Sequence, residues 1–342
     1  MRIGIICPSE IALRRFMPAL QECQDITFVG LGVCTKEERF GDSLVSEDVV
    51  KKVLEDEHCK AQVFVDQYGG KIFEGYKNIV GSDEIDAIYI PLPPALHYKW
   101  AKLALENGKH VLVEKPSTMS LRDTKELTDI AKAKRLAFHE NYMFMFHNQL
   151  DAIEQIVSEG TIGDVRLYRV CFGFPRRNVN DFRYNRQLGG GALIDAGGYT
   201  LKYAARLLGE TAKIKYAQSN YIPEFEVDIS GSAALVNADG ITAQVAFGMD
   251  NNYKCELEVW GSKGCLTTGR VLTAPAGFVP TAIIRNGNEE RVVDLPADNA
   301  FLKSIQHFTK CIKDESVREQ NYVTITEQAK LVDEFKENAG WI

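Results

Sequence analysis

The 342-residue chain sets 47 acidic against 40 basic side chains, a formal charge of −7, which leaves no lysine and arginine surplus with which to grip a nucleic-acid backbone. Hydrophobic residues make up 45% and charged residues 25% of it, the balance of an ordinary globular protein rather than a disordered or fibrous one. No apolar run approaches the roughly 20 residues that span a bilayer and Met1-Arg2-Ile3-Gly4-Ile5-Ile6 is too brief for a signal-peptide core, so a cytoplasmic protein without a membrane partner is expected.

The length exceeds what one hydrophobic core usually organises, which predicts two domains. The eight cysteines lie scattered without a Cys-x-x-Cys pair, the pattern of reduced, mostly buried thiols rather than a disulfide framework or structural zinc. His139 and His147 have no partner at metal-ligand spacing, so no metal is expected.

In chain order, residues 3–6 read as a buried strand, 11–21 as a helix and 27–33 as a second strand. The charged segment 37–76 holds a helix-like run at 46–57 and a Tyr68-Gly69-Gly70 break, which predicts one or two surface helices. A strand at 87–90, a helix at 96–107 stopped by Gly108, and a strand at 110–113 follow. Ser120 and Asp123 stand at capping-box spacing before a helix over 120–134, and 137–140 reads as one more strand. Such βαβ repeats predict an α/β domain, a Rossmann-type parallel sheet.

Beyond residue 165 the texture becomes β-rich, with strands expected at 165–173, 214–221, 229–236, 241–247, 255–260 and 264–268. Asp239-Gly240 is a hairpin signal, so this half should be an α+β domain with a large, mostly antiparallel open sheet. Helices are expected at 301–313 and 324–338. The domains are therefore placed at 1–120, for a dinucleotide, and 121–342, for substrate and oligomerisation, with the option that the helix 324–338 packs back on the first.

A first strand running into a helix is where a Rossmann domain carries its glycine-rich phosphate turn. Here the turn is Cys7-Pro8-Ser9-Glu10-Ile11-Ala12, with Cys7, Ser9 and Ala12 at the three small-residue positions. Cys7 lacks glycine's access to positive φ and Pro8 removes a donor. After the second strand comes Cys34-Thr35-Lys36 with no carboxylate before Glu37, which leans slightly towards NADP over NAD.

Two further stretches, Tyr89-Ile90-Pro91-Leu92-Pro93-Pro94-Ala95-Leu96-His97 and Gly108-Lys109-His110-Val111-Leu112-Val113-Glu114-Lys115-Pro116, resemble the dinucleotide-binding half of the glucose-fructose oxidoreductase/inositol dehydrogenase (Gfo/Idh/MocA) family. The likeness continues at Gly189-Gly190-Gly191-Ala192-Leu193-Ile194-Asp195-Ala196-Gly197-Gly198-Tyr199 and more loosely at Val259-Trp260-Gly261-Ser262-Lys263-Gly264. The resemblance implies that Lys115 sits beside the nicotinamide and the substrate hydroxyl, with a cis peptide before Pro116. It also implies a second catalytic position at Tyr199, where one branch of the family carries tyrosine instead of histidine. An ammonium there would steady a developing alkoxide, and a phenol beside it could exchange a proton with an alcohol or ketone. Asp195, four residues earlier, would anchor substrate or orient Tyr199.

On this reading Pro91, Leu92, Pro93, Leu96, His97 and Glu114 join Cys7 to Ala12 and Cys34 to Lys36 around the cofactor, and Asn178 and Arg183 are candidates for substrate hydroxyls. The expected activity is a sugar dehydrogenase or ketoreductase: hydride transfer between NADP or NAD and a secondary alcohol or ketone of a sugar, nucleotide-sugar or cyclic polyol. A homo-oligomer, dimer or tetramer, is implied by the resemblance. Two alternatives stand beside it: a non-catalytic ligand-sensing protein on the same scaffold, and a dihydrodiol-type dehydrogenase.

Overall fold

A computed structural model describes residues 1–341. They form two compact units, the first comprising Met1–Thr118, Arg122–Asn141 and Ser304–Ile325, the second Met119–Leu121, Tyr142–Lys303 and the chain from Thr326 onward. The first unit thus takes more of the chain than the expected 1–120.

In the first unit, β1 (Arg2–Ile6), β2 (Thr27–Val33), β3 (Lys71–Glu74), β4 (Ala87–Ile90), β5 (His110–Glu114) and β6 (Phe138–Asn141) make one parallel sheet in the order β3-β2-β1-β4-β5-β6. Helices cover it, so β4 is buried at all four positions and β5 at its middle three, as strands covered on both faces require. Between the strands run α1 (Met17–Gln21), α2 (Lys36–Phe40), α3 (Glu47–Tyr68), α4 (Tyr76–Gly81), α5 (Pro94–Glu106) and α6 (Leu121–Ala133). A π turn, Ala12–Phe16, leads into α1. The segment expected to hold one or two surface helices holds α2 and the 22-residue α3, which Gly69 ends at φ 72°. β3 is four residues long, too short for a pattern to announce it. Trp100, Ile79, Phe138, Tyr322 and Ile325 share the core.

The second unit is built on eight strands, β7 (Val165–Gly173), β8 (Lys213–Tyr221), β9 (Asp228–Val236), β10 (Thr242–Gly248), β11 (Lys254–Gly261), β12 (Cys265–Gly269), β13 (Thr281–Asn286) and β14 (Glu289–Asp294), with α7 (Gln149–Ser158) and α8 (Gly198–Leu208). Their order is β14-β13-β12-β11-β7-β10-β9-β8. Every pair is antiparallel except β7 with β10. β13 and β14 were not among the expected strands, although Gly287-Asn288 joins them as a two-residue hairpin with Asn286 opposite Glu289, a turn composition that signals one. Alternate residues of β10 and β11 face a core holding Val170, Leu201, Phe247, Leu257 and Phe335. Two helices close the chain, α9 (Ala300–Lys313) and α10 (Glu315–Asn338), the latter nine residues longer at its start than expected.

Candidate functional site

The strand order reverses between β1 and β4, and in an open parallel sheet that switch point is where ligands bind, outside the C-terminal strand ends. Cys7 to Ala12 follow β1 there, and Pro91 to His97 follow β4. Cys7 adopts φ 75°. The cysteine therefore takes the left-handed conformation expected only of glycine, at a strain of about 1–3 kcal/mol. Its N–H donates to the Gly32 carbonyl at 3.2 Å and its carbonyl accepts from Ser9 N–H at 2.9 Å. Ser9 Oγ accepts from Ala12 N–H at 3.2 Å, satisfying an orphan donor of the helix start. Pro8 and Ala12 are buried, Ile11 is exposed, and exposed Glu10 pairs with Arg14. The turn takes a glycine-like backbone without a glycine at Cys7.

At the end of β2 the expected groups are already engaged. Thr35 Oγ1 accepts from Glu38 N–H and Glu38 returns the bond in a capping box, while Lys36 Nζ meets Glu47 at 2.6 Å on the surface. Cys34 is buried, and both its N–H (3.0 Å) and its thiol (2.9 Å) reach Glu57. Tyr76 donates its hydroxyl to the same carboxylate at 2.7 Å. Burial, reinforced by Glu57, pushes the Cys7 thiol up to about 12 and raises Cys34 as well; neither is a nucleophile near neutrality. Glu57 lies 23 residues beyond Cys34 on α3, a separation at which no local motif could have pointed to it.

Pro91 and Leu92 are buried, Pro93 precedes α5, and Leu96 N–H donates to the Pro93 carbonyl at 2.9 Å. His97 is wholly buried, with each ring nitrogen 2.7 Å from a carbonyl, Pro116 on one side and Leu92 on the other. Burial pushes the imidazole down to about 4 against those carbonyls, and Lys115 adds to the lowering. The ring stands between the loop after β4 and the turn after β5, and in its neutral form it donates to one of the two carbonyls. Glu114 at the end of β5 accepts from Tyr89 Oη and Asn141 Nδ2, each at 2.7 Å, which braces the strand end. Lys115 is partly exposed at the strand end, its peptide to Pro116 is cis, and Ser117 N–H donates to Glu140 at 2.8 Å.

In the second unit a π turn, Leu193–Gly197, runs into α8, carrying Asp195 and Tyr199. Asp195 accepts from Arg183 Nε at 2.6 Å, and Arg183 also pairs with Asp181 at 3.0 Å. Burial works against the Arg183 cation, and the two carboxylates more than offset it. The Tyr199 ring packs edge-on to Tyr142 and Phe172 at 5.1 and 5.5 Å, with its hydroxyl 4.0 Å from Met143 Sδ. Asn178 is exposed. At two positions of the glycine run the chain itself requires glycine. A Cβ on Gly190 would stand 2.4 Å from the Arg183 carbonyl and one on Gly191, at φ 123°, 2.3 Å from Asp228 Oδ1. Asp228, buried and accepting from Leu193 N–H at 2.7 Å, is pushed up to about 7 by burial against those backbone donors.

Comparison with known proteins adds the following. Residues 25–142 match the oxidoreductase family with an NAD-binding Rossmann fold, and residues 150–267 match the GFO/IDH/MocA C-terminal domain. The dTDP-3,4-didehydro-2,6-dideoxy-alpha-D-glucose 3-reductase of Streptomyces violaceoruber is 34% identical over 99% of this chain and 95% of its own length. The D-xylose 1-dehydrogenase (NADP(+)) 2 of Haloferax volcanii is 27% identical over 92% of this chain and 89% of its own. Among solved structures, KijD10, a 3-ketoreductase from Actinomadura kijaniata in complex with NADP and TDP-benzene, superposes with a TM-score of 0.88 at 32% identity, covering 99% of this chain and 97% of the other.

Proposed function

Because the chain belongs to the GFO/IDH/MocA oxidoreductase family, we propose that it is an NADP-dependent ketoreductase acting on a ring ketone of a nucleotide-linked sugar. The observation that carries the reading is Lys115 at the C-terminal end of β5 in a sheet whose switch point is framed by the Cys7 turn and the Pro91 loop. The left-handed turn at Cys7, whose thiol packs inward beside Tyr76 and Glu57, supports a dinucleotide site at this position. The bound nicotinamide supplies the hydride.

The chain's own residues do the rest. Lys115 stabilises the charge developing on the carbonyl oxygen, and Tyr199 delivers the proton from its Oη. Asp195, fixed by Arg183, orients the sugar hydroxyls together with Asn178 and Arg183. Cys34, Thr35 and Lys36 border the adenosine ribose, Leu96 lines the cofactor, and His97 and Glu114 brace the loops around it. Named relatives that act on dTDP-sugars over nearly the whole chain length support the substrate class.

We assign the protein to the cytoplasm, supported by eight free cysteines, and to a homo-oligomer formed through the outward side of the eight-stranded sheet, where Trp260 stands exposed. Among the described residues no helix is long and apolar enough to cross a membrane.

The test is a fluorescence titration of dialysed protein with NADPH and NADH, then NADPH oxidation with a dTDP-linked 3-keto sugar. Micromolar NADPH binding and turnover that requires the nucleotide are expected. Failure of both cofactors to bind below millimolar, or equal turnover of free and nucleotide-linked sugars, would contradict the proposal.

A further inference from the structure

β6 reads Phe138-His139-Glu140-Asn141, three polar residues in four, yet every position is buried. Two of them belong to a continuous run of hydrogen bonds that ends on Glu114. Asn141 Nδ2 donates to Glu114 Oε1 at 2.7 Å, so its amide oxygen faces the other way, where it accepts from Ser304 Oγ at 2.7 Å. Ser304 has spent its one hydrogen on Asn141, and its oxygen lies 2.9 Å from His139 Nε2; that nitrogen must carry the proton between them. On the opposite side of the ring, Asn321 Nδ2 donates to the Phe138 carbonyl at 2.6 Å. Its Oδ1, an acceptor only, lies 3.1 Å from His139 Nδ1, so a hydrogen bond here needs this nitrogen to donate too.

A carboxylate at one end and a backbone carbonyl at the other thus leave the imidazole between them with two protons. We propose that His139 is held as an imidazolium and that, through Ser304 and Asn141, it keeps Glu114 an anion beside Lys115. It is a positioning residue of the reaction.

The alternative distribution moves one proton to Glu114, turns the Asn141 amide over and leaves His139 neutral. Burial favours it by raising the Glu114 carboxyl. Against it stand the Tyr89 hydroxyl, the Asn141 amide and the Lys115 charge on Glu114, and the partial solvent exposure of Glu114, which weakens the burial effect. The contrast with His97 is instructive. That ring also faces two acceptors, but the charge acting on it is the Lys115 cation, whereas His139 is wired to an anion, and a buried charge is tolerated when a counter-charge is linked to it. Beside His139 lie the Phe308 ring and His307, its ring centroid 5.3 Å away; burial lowers the His307 imidazole, against a hydrogen bond of its own to Asn321.

The first readout needs no activity. In protein labelled with 15N-histidine, a long-range proton–nitrogen correlation should show both ring nitrogens of His139 protonated at about pH 7 to 8, with the signal assigned by its loss in His139→Gln. One protonated and one bare nitrogen would overturn the proposal. The second rests on the proposed role of Lys115. Without the network Glu114 loses the group that keeps it an anion, so in His139→Gln and in Ser304→Ala the pH profile of kcat/KM should be displaced by about one pH unit from that of the wild type. The double variant should shift no further than the larger single. Superimposable profiles in both single variants would overturn the link to Lys115, and a chain inactive with every ketone still leaves the nitrogen signals to be read.

Discussion

Cys7 sits where a dinucleotide turn calls for glycine, and it takes glycine's conformation at φ 75°. A branched side chain tolerates that region worst. Cys7→Val should therefore lose about 1–3 kcal/mol of stability relative to Cys7→Gly in urea unfolding; equal midpoints for the two would mean that the turn relaxes out of the left-handed region. The cis peptide before Pro116 was legible in a short motif. Contacts were illegible where a partner comes from far along the chain. Glu57 beneath Cys34, Ser304 and Asn321 around His139, and Asp228 against Gly191 are brought in by folding, at separations of 23 to 182 residues.

At the scale of elements, apolar periodicity found most strands because a strand covered on both faces must be apolar throughout and a half-covered one must alternate. It failed for β3, four residues long, and for β14, whose residues are almost all exposed and give no alternation. Nor can a sequence show Asp228, 37 residues beyond Gly191, pressed against the glycine run before α8.

The same carboxylate makes the loop pH-sensitive. Asp228 is raised in the fold to about 7 from an ordinary value of 3.8. Between those values the native state holds a proton that the unfolded chain has lost, so this group's contribution to stability is complete below about pH 4 and is lost as pH rises through about 7. Asp228→Asn should remove that slope. Denaturant unfolding of the variant should gain on the wild type by up to about 1.4 kcal/mol per pH unit across the window and no further above it. A constant difference from pH 4 to 8 would refute this account of the loop.

For the whole molecule, the division into two units matters most to the mechanism. Lys115 belongs to one and Tyr199 to the other, and each unit by itself supplies only half of the proposed chemistry. The parallel sheet with its switch point was readable from βαβ spacing. The extent of the first unit was not, because Ser304–Ile325 returns to it after more than 160 residues spent in the second. Local pattern carries no record of such a return.

The central claim, that Lys115 is the electrostatic centre of a nicotinamide-dependent ketone reduction with Tyr199 as its proton donor, is tested most directly by measuring single-turnover NADPH oxidation in Lys115→Ala and Tyr199→Phe alongside NADPH affinity. The account predicts that Lys115→Ala slows the hydride step by about 10²–10⁴-fold or more and Tyr199→Phe slows proton-coupled turnover, with NADPH affinity within about tenfold of wild type in both. Wild-type turnover in Lys115→Ala would contradict it.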